Sequence, residues 1–263
     1  MFKIIGLALA LALTLALASA PALAQGIMRG VNMAGPEMTE AEMTRAEVVA
    51  ILAAGSGADF TRKRLNRLDL SDLDFSGVTL RAARLNGASL AGATLDGAVL
   101  DQAWMLDADL TGASLKGASL FQTQLGRAKM AGADLTGARG PADFTRADLT
   151  GAIFRDADLS ADMKNQSMGL MRGVLTKAQL TGADFEGANL ARVVFDFARL
   201  EGARLVGANL MGASLGGARM TGADVTGANF NDADLGAAWI GGLVGEEASN
   251  LNAARNLQSA IRQ

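Results

Sequence analysis

The chain of 263 residues contains no cysteine, no histidine and no tyrosine, and only three prolines. Without cysteine there is no disulfide, no thiol nucleophile and no thiolate ligand for a metal. Without histidine the commonest general base is missing. An excess of one charge is lacking too. The 24 Lys and Arg against 27 Asp and Glu leave a net charge of −3, which gives no strong field for nucleic acid or a membrane surface. What is present in quantity is glycine, at 32 residues, together with alanine. Glycine in random order would argue for disorder, but here it recurs at a fixed interval, which argues for a built repeat.

The first 24 residues differ from the rest. Lys3 precedes an apolar run from Ile4 to about Ala18, and Ala22-Leu23-Ala24 supplies a small-residue cleavage site. That layout predicts a secretory signal peptide over 1–24, cut before Gln25. The run falls short of the roughly 20 apolar residues that span a bilayer, so the mature form is expected without a membrane span and in the periplasm or outside the cell. With no cysteine at the junction, a lipid-anchored lipoprotein is excluded.

From Phe60 to Leu135 every fifth residue is Leu, Phe or Met, and the rule holds again from Leu170 to Ile240 with Val225 and Ile240 as the only exceptions. Two positions before the large residue, every fifth residue from Ala83 to Ala133 is alanine except Thr123, and from Ala178 to Ala238 except Val193, whereas the first coil holds Lys63, Leu68, Leu73 and Val78 in that slot. Two positions after it stands glycine in many repeats, such as Gly87, Gly112 and Gly212. A helix cannot use this pattern, because five steps turn each large residue by about 140° from the last. A continuous strand fails as well, because its faces alternate with period two. The alanine and the large residue must both point inward, as in a short strand. The two residues that follow must then turn a corner, where glycine suits positive φ. Stacked windings of this kind bury what no single winding can.

The phrases "ADLTG", "ADFEG", "ANLMG" and "ADVTG" resemble the pentapeptide-repeat family over about residues 58–240. The resemblance implies an all-β solenoid, a right-handed quadrilateral β-helix with four repeats per coil. Four repeats stack residues 20 apart, and the sequence offers a check. Asn189, Asn209 and Asn229 fall in one such column, and Arg204 falls between Asp184 and Asp224. A 15-residue coil would stack Asn189 on Arg204 and Arg219, a poorer match. Arg199 over Arg219 and Arg64 over Arg84 count against 20.

The phase breaks twice, near 138–142 and at 160–169. Phe144 arrives nine residues after Leu135, one short of two repeats, and the original phase returns by Leu170. The segment 25–57 reads as a linker and a capping helix, with Thr39/Glu42 and Thr44/Glu47 as capping boxes and Gly55 and Gly57 as its end. Residues 241–263 read as a second capping helix, with Glu246 and Glu247 at its start and Arg255 and Arg262 toward its end. "FTRKRLNR" gathers Arg62, Lys63, Arg64 and Arg67, which Asp59, Asp69, Asp72 and Asp74 are expected to offset.

No catalytic residue, cofactor or metal site is expected. Aspartates recur before many of the large residues (Asp109, Asp134, Asp148, Asp158, Asp184, Asp224 and Asp234) as part of the repeat, and no pair stands out. Large side chains at outward positions mark a candidate interaction surface at Trp104, Phe121, Phe197 and Trp239, joined by Lys164 and Asn165 in the interruption. The expected function is an exported, non-enzymatic scaffold that contacts an envelope protein or stiffens an envelope assembly, with no nucleic acid as partner. Some family members resemble duplex DNA and bind DNA gyrase, which makes quinolone protection the alternative. The resemblance also implies that a C-terminal helix could join two chains. Ice binding finds little support, because Glu201 interrupts the threonine column of Thr181 and Thr221.

Overall fold

The repeat Ala108–Gly112 shows how the chain winds. The Asp109 amide donates to the Ala88 carbonyl at 2.9 Å, and the Leu110 amide donates to Lys129 at 2.7 Å. One residue thus reaches back one winding and the next reaches forward. The Ala113 amide closes the corner on the Leu110 carbonyl at 3.0 Å, with Gly112 at φ +64 in the turn position that needs it. The Asp109 carboxylate accepts from the Thr111 amide and hydroxyl at 3.1 and 2.7 Å, so the aspartate of the repeat braces its own corner.

A computed structural model describes residues 31–55, 57–164 and 171–263; the signal segment 1–24 and Asn165 lie outside them. Met33–Gln263 form one compact unit. Within it, parallel bridging pairs run in four columns. Face 1 starts at Asp59, face 2 at Arg64, face 3 at Asp69 and face 4 at Asp74, and each steps by 20 residues through most of its length. The coil of four repeats is therefore present. Face 2 carries ten pairing residues from Arg64 to Arg255, so nine steps of about 4.8 Å give a length of roughly 43 Å.

The large residues fill the interior. Leu110 and Leu210, like the other leucines of the repeat, are fully buried, each stabilising by about 2 kcal/mol. Alanine beside them keeps the interior narrow. Around the irregular windings phenylalanine takes over, with Phe154 and Phe185 stacked at 4.8 Å between rings and Phe144 and Phe195 edge-on at either side.

Both interruptions fall at one edge, between faces 1 and 2. Against the regular step of five, Arg139 to Asp143 is one residue short, and Asp158 to Val174 is eleven residues longer. Pairing resumes on every face afterwards. The two arginine stacks that argued against 20 are real, and each is bridged by a carboxylate. Glu201 contacts Arg199 at 3.4 Å and Arg219 at 2.9 Å, and Glu37 contacts both Arg64 and Arg84.

At the N-terminal end, helix α1 spans Pro36–Thr39 and α2 spans Arg45–Ala53. The Thr44/Glu47 box is formed, and Val48 is buried in the common core. The Thr39/Glu42 box is not formed. Thr39 closes α1 and donates to the Gly35 carbonyl at 3.0 Å, while Glu42 is drawn to Lys63 and Arg64.

The C-terminal helix expected over 241–263 is absent. Short 3-10 turns occupy Glu246–Ala248, Leu251–Ala253 and Leu257–Ser259. Around them Val244, Arg255 and Ile261 pair with Asp224, Asp234 and Trp239. The segment is a last, irregular winding. The open backbone of the preceding rung offers hydrogen bonds that a free helix would leave unmade, and Ala254-Arg255 and Ala260-Ile261 keep the inward–outward order. Glu246 and Arg262, placed by the sequence at opposite helix ends, bond to each other at 2.8 and 2.9 Å. A helix-mediated pairing of two chains therefore has no helix here.

Candidate interaction surface

Every regular corner ends on a residue at positive φ, and the four edges fill that position differently. On the edges flanking face 4 it is glycine at 15 of 17 corners, the exceptions being Asp72 and Asp156. On the edges flanking face 2 it is glycine at 3 of 16 regular corners. Of the 16 non-glycine residues at positive φ among the described residues, 13 lie at regular corners of the face 2 edges. A side chain in this conformation costs about 1–2 kcal/mol. The fold accepts glycine at the same corner, so the strained side chains are not required by the winding. Strain retained against an available alternative points to a role outside folding.

The edge between faces 2 and 3 shows what is displayed. Arg127, Arg146, Lys177 and Phe197 follow one another on successive rungs. Arg127 is tied to Asp107 by two bonds of 2.7 and 2.6 Å. Arg146 and Lys177 have no carboxylate within 4 Å among the described residues. Phe197, at φ +59, is 61% exposed. Its ring lies over Gly217, where an added Cβ would come within 2.7 Å of the ring. The Lys177 ammonium stands 6.0 Å from the ring centroid.

The other sequence candidates divide. Trp104 is on face 2 and half-buried, paired between Arg84 and Gln124. Phe121 sits on the edge between faces 1 and 2, also half-buried, with the Gly140 backbone against its amide. Lys164 is exposed in the long insertion of that edge. Trp104, Phe121, Lys164 and Phe197 thus all belong to face 2 or its edges. Trp239 does not. It lies on face 3, 38% exposed, with the Arg219 guanidinium 5.6 Å from its ring.

One occupant of face 2 was not legible in the sequence. The segment around α1 covers its first two rungs. The Asn66 amide donates to the Glu37 and Glu40 carbonyls at 3.2 and 2.9 Å, and Asn86 donates to Met38 at 3.3 Å. Glu37 and Glu42 take Arg64 and Arg84 in the ion pairs above, and Met38 is buried. The basic cluster of the first coil is neutralised by these glutamates more than by its neighbouring aspartates. The only sequence signal was two asparagines 20 apart, at 66 and 86, in the corner slot.

Charge is also segregated. Face 2 and its edges hold nine Lys or Arg and six Asp over the regular rungs, whereas face 4 and its edges hold three and nine carboxylates. Several carboxyls are held below their ordinary range. The Thr226 hydroxyl and amide do this for Asp224, and Arg204 does it for Glu186. Partial burial pushes Asp184 upward, but the Glu186 amide and Arg155 outweigh it. Groups held ionised this way are poor general acids. Among the described residues no three carboxylates are grouped as a metal site, and no helix is long and apolar enough to cross a membrane. A depression of about 850 Å³ at the C-terminal end is lined by Leu243, Leu251, Asn252 and residues 245–249. Its Glu246 is engaged by Arg262, which holds the carboxyl low.

The pentapeptide-repeat family pattern matches this chain in eight copies, at residues 56–87, 74–112, 103–139, 142–161, 174–212 and 208–240. A comparison with curated proteins finds no match. Among solved structures the chain is similar to HetL, a pentapeptide repeat protein involved in heterocyst differentiation regulation in the cyanobacterium Nostoc sp. strain PCC 7120. The identity is 30%, over 84% of this chain and 98% of HetL, with a TM-score of 0.47. It is similar to QnrB1, a plasmid-mediated fluoroquinolone resistance protein, at 16% identity over 79% of this chain and 92% of that one, with a TM-score of 0.45. It is also similar to the pentapeptide repeat protein Rfr23 of the cyanobacterium Cyanothece 51142, at 21% identity over 46% and 91% of the two chains, with a TM-score of 0.27. Repeats of this kind wind as right-handed quadrilateral β-helices, in keeping with the four columns described above. Eight copies of the repeat, matched over more than half of the chain, show that it belongs to the pentapeptide-repeat family.

Proposed function

We propose that this chain is a non-enzymatic scaffold, exported by its first 24 residues, that binds a protein of the cell envelope through face 2 and its flanking edges. The observation that carries the reading is the set of 13 strained side chains kept on those edges where the fold takes glycine elsewhere. Among the described residues, the convex, side-chain-filled body offers no convergent acid, base and nucleophile. Four of the six outward residues singled out by sequence fall on this surface. Cell fractionation with sequencing of the mature N-terminus tests export, and photo-cross-linking from Trp104 in the native host tests the surface. A protein found in the cytoplasm with residues 1–24 intact removes the envelope role, and no protein adduct from face 2 removes the scaffold reading.

A second reading, protection of DNA gyrase by an acidic, duplex-like surface, has one observation in its favour. Face 4 and its edges carry nine carboxylates against three cations and are bordered by glycine. That reading requires the chain in the cytoplasm, so the same fractionation separates the two.

A further inference from the structure

We infer that the edge between faces 2 and 3, from Arg146 through Lys177 to Phe197, binds an acidic segment of a partner protein that also carries an apolar side chain. This rests on face 2 being the contact surface, as proposed above. The chain supplies its own precedent at rungs 1 and 2. There the surface holds the segment around α1, residues 37–42, by three kinds of contact. Glu37 and Glu42 meet Arg64 and Arg84 or Lys63. Met38 is buried at 4% exposure. The carbonyls of Glu37, Met38 and Glu40 accept from Asn66 and Asn86. Face 2 therefore takes carboxylates and a side chain such as methionine together.

Rungs 5 to 7 of the adjoining edge set cations beside an apolar side chain, without an occupant among the described residues. Arg146 and Lys177 follow each other at about one rung spacing, near 4.8 Å, and no described carboxylate lies within 4 Å of either. Phe197 comes next, with its ring positioned over Gly217 and beside Lys177. An exposed aromatic whose orientation is already fixed loses little freedom on binding, which is what an anchor residue needs. Cations beside it select an acidic neighbour over a basic one. The complementary segment places two carboxylates on Arg146 and Lys177 and an apolar side chain on the outer face of Phe197.

The test uses the full chain in its native host with p-benzoylphenylalanine in place of Phe197 or, separately, of Trp104. The expected result from position 197 is one discrete protein adduct whose cross-linked peptide contains at least two Asp or Glu near the attachment point. Its yield should fall about tenfold in Arg146→Glu/Lys177→Glu, with an unchanged circular dichroism spectrum. That peptide, synthesised and labelled, should bind the purified chain at least tenfold more weakly after the same double substitution. No adduct at 197, an adduct to a non-acidic peptide, to a second copy of this chain or to a lipid, or an adduct indifferent to the charge reversal, each overturns the inference. A protein adduct from position 104 with none at 197 overturns it while the scaffold reading stands. No adduct from either position overturns both.

Discussion

Replacing Ala82 and Ala237 with glycine should stabilise the protein. Both sit at positive φ, +53 and +55, on the edges flanking face 2. Neither makes a side-chain hydrogen bond or ion pair that glycine would lose. An L-residue in this region costs about 1–2 kcal/mol, and glycine returns that amount less about 0.5–1 kcal/mol for its freer unfolded chain. The gain is about 0.5–1 kcal/mol per site. The two corners lie seven rungs apart and should add. For a body of this size, each should raise Tm by about 1–4 °C, read by calorimetry or by a shift of the urea midpoint at constant m. The converse change, Gly112→Ala at φ +64 with open space around the new Cβ, should cost about the same, because only the backbone objects. If the alanine-to-glycine pair is neutral or destabilising, the corners bear no strain. The reason for singling out face 2 then disappears with it.

Four further outcomes follow from the same geometry. Leu110→Ala, at a fully buried centre, should lower stability by about 3 kcal/mol in equilibrium unfolding, because the stacked rungs cannot collapse onto the void. Asn209→Ala should cost about 1–2 kcal/mol by the same measurement, since Asn209 donates to Asn189 and accepts from Asn229 at 3.1 Å in a continuous amide column. Gly217→Ala should be costlier than Gly112→Ala, and most of the excess should vanish in a Phe197→Gly background, a coupling that a double-mutant cycle reads directly. Acid should weaken the fold. Asp59, Asp69, Asp74 and Asp224 are held below their ordinary range, each first by the hydroxyl two residues on. Their contribution is complete above the unfolded carboxyl pKa near 4 and is lost as pH falls through the lower folded values, so Tm should be flat from about pH 5 to 8 and fall below about 4.

The interior was legible because one rule repeats. A large residue every fifth position and alanine two before it leave a single way to bury both, and Leu110 and Leu210 are where the rule puts them. The 20-residue stacking needed the family resemblance and the asparagine column together. The arginine stacks looked adverse only because a sequence column does not show a bridging side chain such as Glu201 or Glu37 entering from elsewhere. The C-terminal helix was misread for a related reason. Glu246 and Arg262 carry the signs a helix dipole favours, but an unfinished rung offers its backbone to whatever follows, and pairing there outweighs local preference. Trp104 and Phe197 were visible as outward aromatics. That they share a surface with Lys164, and that residues around α1 occupy one end of it, depends on which of four faces each repeat lands on.

The deletion at Gly140-Pro141 and the eleven-residue addition after Asp158 sit on consecutive rungs of the same edge. Chain length and stacking register are uncoupled there, since neither change disturbs the columns downstream. Sequence of foreign origin spliced between Ser160 and Arg172 should therefore leave the remaining windings intact, making that corner a ready port for a reporter, an epitope or a second binding module on this scaffold.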